Sequence, residues 1–156
     1  MSIKQTYTRL CMQLQYFAAA TLISTIVIGC QVRLVPQYSA ELENQIINGA
    51  KMTDKLYLEM IDAPADKKNY LLYSEKYLDV ETEINSILFK NEAREKAADI
   101  IKSVKILRDK FVKYKRDHKT RNSLSNPELI LYNEDLKAFW APVLVEEKAL
   151  SAVKQF

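Results

Sequence analysis

The sequence predicts an all-α protein: an antiparallel up-down four-helix bundle that follows an N-terminal apolar segment. Three observations predict it. The 156-residue chain holds only two glycines and four prolines, so few positions interrupt a helix. Its apolar residues recur in four stretches at alternating steps of three and four, which places each set on one helix face. The connections at Ala63-Pro64, around Asn91 and at residues 122–125 are short, which favours antiparallel neighbours.

The first stretch starts near Ser39 and carries Leu42, Ile46, Gly49, Thr53, Leu56 and Met60. The second follows Pro64, with Asp66 as its candidate N-cap, and carries Tyr70, Tyr73, Tyr77, Val80, Ile84 and Ile87. The third carries Ala93, Ala97, Ile100, Val104, Leu107, Phe111, Tyr114 and His118. The fourth opens on Ser125-Asn126-Pro127-Glu128, which has the spacing of a capping box, and runs through Leu129, Tyr132, Leu136, Phe139, Val143 and Leu150. Pro142 lacks an amide donor and is expected to kink this last helix or split it in two. No stretch is apolar all round, so each needs partners on its apolar face. Three helices with a docked C-terminal segment is the main variant.

The N-terminus reads differently. Lys4 and Arg9 precede residues 10–32, which carry no charge, and the strongly apolar part is residues 16–28. A cationic start, a short apolar core and a small residue before the cleavage point form a bacterial export signal. The run ends in Val27-Ile28-Gly29-Cys30, which resembles the lipobox of bacterial lipoproteins. Val27 stands where that pattern most often has Leu. The resemblance implies that residues 1–29 are a signal peptide and that Cys30 is acylated and becomes the mature N-terminus. An uncleaved anchor is the alternative, because residues 10–32 are long enough to span a bilayer, though Gln13, Gln15 and Gln31 weaken it. Under either reading Lys4 and Arg9 keep the N-terminus in the cytoplasm.

Residues 30–38 then form a lipidated tether and residues 39–156 the bundle domain. Pro36 biases its neighbour away from helix, and residues 31–37 lack helical periodicity. Cys30 is the one cysteine of the mature chain, so no disulfide is available and the domain must fold on packing alone. Leu34-Val35-Pro36-Gln37-Tyr38, the heptads, the tyrosine-rich second helix and the capped last helix together resemble small helical lipoproteins of bacterial envelopes that have no assigned activity. That resemblance implies no catalytic residues. Gln31 also stands where, in enterobacterial lipoproteins, an aspartate would retain the protein at the inner membrane. The resemblance therefore implies an outer-membrane lipoprotein facing the periplasm.

Catalytic and cofactor chemistry finds little footing. His118 is the only histidine; Met52 or Met60 could in principle join it in a Met/His haem site, but neither a C-x-x-C-H motif nor a second His supports one. It is expected as a partly exposed residue near a helix C-terminus, where an imidazolium is mildly favoured. Glu75, Asp79, Glu81 and Glu83 read as a solvated helix face, as do Glu59 and Asp62. No Gly-rich phosphate loop, G-x-S-x-G or H-E-x-x-H occurs. The expectation is no enzyme, no cofactor and no metal. Tyr70, Tyr73 and Tyr77 share one stripe and should be buried with their hydroxyls at its rim. Trp140 sits beside the Phe139 stripe and is expected to be partly exposed, a candidate partner-binding anchor.

Charge distribution is the most suggestive feature of the body. Lys102, Lys105, Arg108, Lys110, Lys113, Lys115, Arg116, Lys119 and Arg121 are opposed locally only by Asp109 and Asp117. The whole chain carries +3, and the mature chain without Lys4 and Arg9 about +1, so this segment stands out against an acidic remainder. Basic stripes attract phosphate, but export argues against nucleic acid. Docking on the acidic second helix, contact with anionic lipid or lipopolysaccharide, and an acidic envelope protein remain, beside a plain solvated face. Candidate contact residues are Lys102, Lys105, Arg108, Lys113, Arg116, Lys119 and Trp140. The functional expectation is a non-enzymatic envelope lipoprotein with a binding or scaffolding role. The alternative is a single-span accessory subunit with an extracytoplasmic helical domain.

Overall fold

A computed structural model describes residues 35–153, which fall within one compact unit. Among the described residues there are four α-helices and no strand: α1 (Ala40–Asp62), α2 (Tyr70–Glu92), α3 (Ala98–Arg121) and α4 (Asn126–Ala152). One turn of 3-10 helix, Ala65–Lys67, lies between α1 and α2. The helices form a bundle in which α1 and α3 each pack against both α2 and α4. The lipobox-like residues, Cys30 and the apolar run lie outside the described residues.

The seams are heptads. α1 buries Leu42, Ile46, Gly49, Thr53, Leu56 and Met60, with Tyr57 beside them. α2 buries Tyr73, Tyr77, Val80, Ile84, Ile87 and Asn91, with Leu88 beside them. α3 buries Ile100, Val104, Leu107, Phe111, Tyr114 and His118. α4 buries Leu129, Asn133, Leu136, Trp140, Val143, Glu147 and Leu150. Each series alternates steps of three and four, and a repeat of about 3.5 residues keeps a seam facing its neighbours along the whole helix. Each large apolar side chain buried there contributes roughly 1.5–3 kcal/mol.

The fourth seam corrects the sequence reading. Tyr132 and Phe139 are only half-buried, and the core positions belong to Asn133, Trp140 and Glu147. Polar residues at two heptad positions hid the true phase, and the aromatic neighbours drew it one residue aside. Trp140 is thus a core residue, 4% exposed, and no exposed anchor. Its indole Nε1 donates to Thr53 Oγ1 at 3.1 Å, and the Thr53 hydroxyl donates to the Gly49 carbonyl at 2.8 Å. Gly49 makes the room: a Cβ there would lie 2.6 Å from Trp140 Cη2.

Helix ends follow local chemistry. The Ser39 hydroxyl accepts from the Leu42 amide at 3.2 Å, and Glu41 and Glu43 in the first turn suit the positive end of the α1 dipole. Asp66 is not the cap of α2; it lies in the 3-10 turn, which begins after Pro64. α2 starts later, at Tyr70, whose amide donates to the Asn122 backbone carbonyl at 3.1 Å. Asn122 can present that carbonyl because it takes the left-handed conformation (φ 59°) that ends α3. Ala93 ends α2 and does not open α3. The Glu128 carboxylate accepts from the Ser125 amide at 2.9 Å and from its hydroxyl at 2.7 Å. Pro142 does not split α4. It sits on the exposed face, where the carbonyl of Ala138 that it leaves without a donor can face water.

The close approach at Gly49 sets a test. Gly49→Ala should destabilise the protein by about 1–3 kcal/mol in urea unfolding, through overpacking against the indole. In a Trp140→Phe background the same substitution should cost clearly less, because its clash partner is gone.

Candidate functional site

Two buried polar clusters and one charged face organise the surface, and the clusters lie at opposite ends of the seams. At the first end stands Glu147, whose side chain is fully buried. A carboxylate in that position costs several kcal/mol unless it is paired and hydrogen-bonded. Arg94, from the loop after α2, donates to both of its oxygens, Nη1 at 2.6 Å and Nη2 at 3.2 Å. The Ser39 amide donates to Glu147 Oε1 at 2.9 Å. Arg94 also donates to Asn91 Oδ1 at 2.8 Å and to the Gln37 carbonyl. One ion pair therefore ties the end of α4, the α2–α3 loop and residues 37–39 together. Lys96 takes a left-handed backbone (φ 62°) in the same loop, a conformation costly for a side chain with a Cβ.

At the other end His118 is fully buried, where the sequence suggested partial exposure. Its Nε2 lies 2.9 Å from the Lys68 carbonyl oxygen, an acceptor, so Nε2 carries the proton. Nδ1 then accepts from the Tyr77 hydroxyl at 3.1 Å. Tyr70 meets the imidazole edge-on with ring centroids 5.7 Å apart. Burial pushes the imidazole below its ordinary pKa of 6.5, opposed by the Lys68 carbonyl bond. This is a neutral core histidine and not a helix-end imidazolium. Lys68 is itself buried, its ammonium donating to the Ile61 carbonyl at 3.3 Å and to the Asn126 amide oxygen. Carbonyls at the α1 C-terminus are the negative end of that helix dipole, which suits a cation.

Between α3 and α4, Tyr114 and Tyr132 stack with centroids 3.9 Å apart and rings 8° from parallel. Their hydroxyls donate across the stack, Tyr114 to Asp135 and Tyr132 to Asp117 at 3.2 Å. Desolvation and these carboxylate partners raise both phenols. Among the described residues no three His, Cys, Asp or Glu side chains group as a metal site.

The basic residues of α3 divide by direction. Lys105 pairs with Glu92 at 3.1 Å and Lys115 with Glu81 at 2.6 Å, so docking onto the acidic α2 accounts for part of the charge. Lys110 turns toward α4, 3.7 Å from Asp135 and 5.0 Å from the Phe139 ring centre. Arg108 pairs with its neighbour Asp109, Lys113 lies over Tyr114 and Lys119 over Tyr70. Lys102 and Arg116 are exposed and have no ion pair among the described residues. Of the seven sequence candidates, six stay at the surface of α3 and Trp140 leaves the set. The residues missed were Arg94, Glu147 and Lys68. Glu147 had a signal, since it lies four residues after Val143 and three before Leu150, in step with the seam; Arg94 and Lys68, in loops, had none.

Compared with known proteins, the chain matches no family model, and no curated protein or solved structure is significantly similar to it. No described helix is long and apolar enough to cross a membrane.

Two measurements probe the clusters. Arg94→Met should cost about 3–5 kcal/mol by leaving Glu147 buried and unpaired, and adding Glu147→Leu should recover much of it. For His118 the unfolded chain takes up a proton near the ordinary pKa while the folded chain does so only at lower pH. Stability in urea should therefore fall between about pH 7.5 and pH 5.5, and His118→Gln should flatten that dependence.

Proposed function

We propose that this protein is a cell-envelope lipoprotein, tethered through acylated Cys30 and carrying a non-enzymatic, antiparallel up-down helical bundle that binds or scaffolds another envelope component. One observation carries the reading: Lys4 and Arg9, a short apolar core, and Gly29 directly before Cys30. Other features support it. The pairs Glu41–Lys90 and Glu59–Lys76 join α1 to α2, and Glu43–Lys148 and Asp54–Lys137 join α1 to α4, with numbers rising on one helix as they fall on the other. The clamp on residues 37–39 would hold the end of a tether firmly to the body. The buried His118 and the fully paired Glu147 are in structural use, which suits a binding body. The solvated cations of α3 give that body its candidate contact face. By the resemblance at Gln31 the outer membrane is the destination, with the body in the periplasm.

Metabolic labelling with a clickable palmitate analogue, together with mass spectrometry of the mature N-terminus, tests the proposal. The expected result is a lipid-modified N-terminus at Cys30, with label and membrane retention both lost in Cys30→Ala. An intact Met1, or unchanged retention of Cys30→Ala without label, would instead establish the single-span accessory subunit.

A further inference from the structure

α2 has a second stripe that the core does not use. Leu71, Leu78 and Phe89 are 77%, 58% and 73% exposed, and with the exposed Glu75, Thr82 and Asn85 they keep heptad spacing along the outer side of the helix. The stripe leans toward α3. Leu78 and Asn85 share a ridge with Glu81 and Glu92, the two residues that reach α3 through Lys115 and Lys105. Asp79 sits on the opposite edge, with Lys76 and Lys90, whose partners Glu59 and Glu41 are on α1. On α3 the surface beside this stripe holds Lys105, Arg108, Arg116 and Lys119, with Lys102, Lys113 and the half-exposed Ile106 just outside. A row of alternating apolar and polar side chains, with Glu75 as its one carboxylate, thus runs alongside a basic row on two helices that pack together.

Resting on the envelope reading, we propose that the α2–α3 face lies flat on a phospholipid bilayer with anionic headgroups. Charge complementarity selects that occupant. Apolar side chains at the acyl boundary beside Lys and Arg at the phosphates are the composition of an interfacial helix. Lys102 and Arg116 are held by no fixed partner, which suits diffuse headgroups better than one carboxylate at a set position. The chain from Cys30 to Gln37, where the clamp takes hold, reaches at most about 25 Å, and α3 is about 36 Å long. A tether of that reach allows the bundle to lie down.

The test uses the full chain reconstituted in vesicles, with an environment-sensitive fluorescent amino acid at position 78 or 89 and a control at Lys51 on α1. The expected result is a blue-shifted emission at 78 and 89 in vesicles with about 30% phosphatidylglycerol and none in pure phosphatidylcholine. About 0.5 M salt should reverse it, and Lys102→Glu/Arg116→Glu should abolish it without loss of helix, the control staying unchanged. Equal emission in both vesicles would overturn the proposal. So would a shift seen only when an acidic amphipathic peptide is added to neutral vesicles, which would assign the face to a protein. Reconstitution works with either an acylated Cys30 or an uncleaved anchor, so mass spectrometry of the N-terminus separates failure of this proposal from failure of the lipoprotein reading.

Discussion

A buried carboxylate sets the terms for one end of this bundle. Glu147 occupies a heptad position where the neighbouring seam residues are Val143 and Leu150, and it has no access to water. Such a group persists only with a cation and a full set of donors. Arg94 and the Ser39 amide supply them, and both come from outside the regular helices. Arg94 of the α2–α3 loop and the approach of residues 37–39 to α1 meet at that one acceptor. The pair need not be worth more than an apolar filling would be. Its consequence is position, since a slip of α4 by one heptad would leave a charge in the core.

The opposite end uses neutral chemistry for the same purpose. His118, Tyr77 and the Lys68 carbonyl form a chain in which each buried donor meets an acceptor. Asn133, buried on α4, donates to Asp54 of α1 at 2.8 Å, and Thr53 receives the Trp140 indole. Polar residues thus punctuate seams that are otherwise Leu, Ile, Val and aromatic rings. A heptad pattern alone accepts several registers, and polar positions with unique partners discriminate among them.

Much of this was legible in the sequence. The seams of α1 and α3 follow from apolar spacing, and the Ser125–Glu128 cap follows from its motif. The phase of α4 did not, because Asn133 and Glu147 look like surface residues and Tyr132 and Phe139 look like core. Their burial depends on Asp54 and Arg94, more than fifty residues away in the chain, which no local pattern contains. The start of α2 was misread for a related reason: the group that meets the Tyr70 amide is Asn122, at the end of another helix. The basic face was visible, but which cations α2 and α4 consume required the packing.

The same clamp connects fold to function. Under the proposed lipoprotein function the tether would end at a fixed point on the body, and the ion pair of Glu147 would provide that point. Native-state hydrogen exchange at the Ser39 amide tests this most directly, because that amide precedes α1 and would fray without its acceptor. The account predicts that it exchanges only with the global unfolding that also exposes the core amides of α4. Exchange as fast as that of an exposed chain terminus would contradict it.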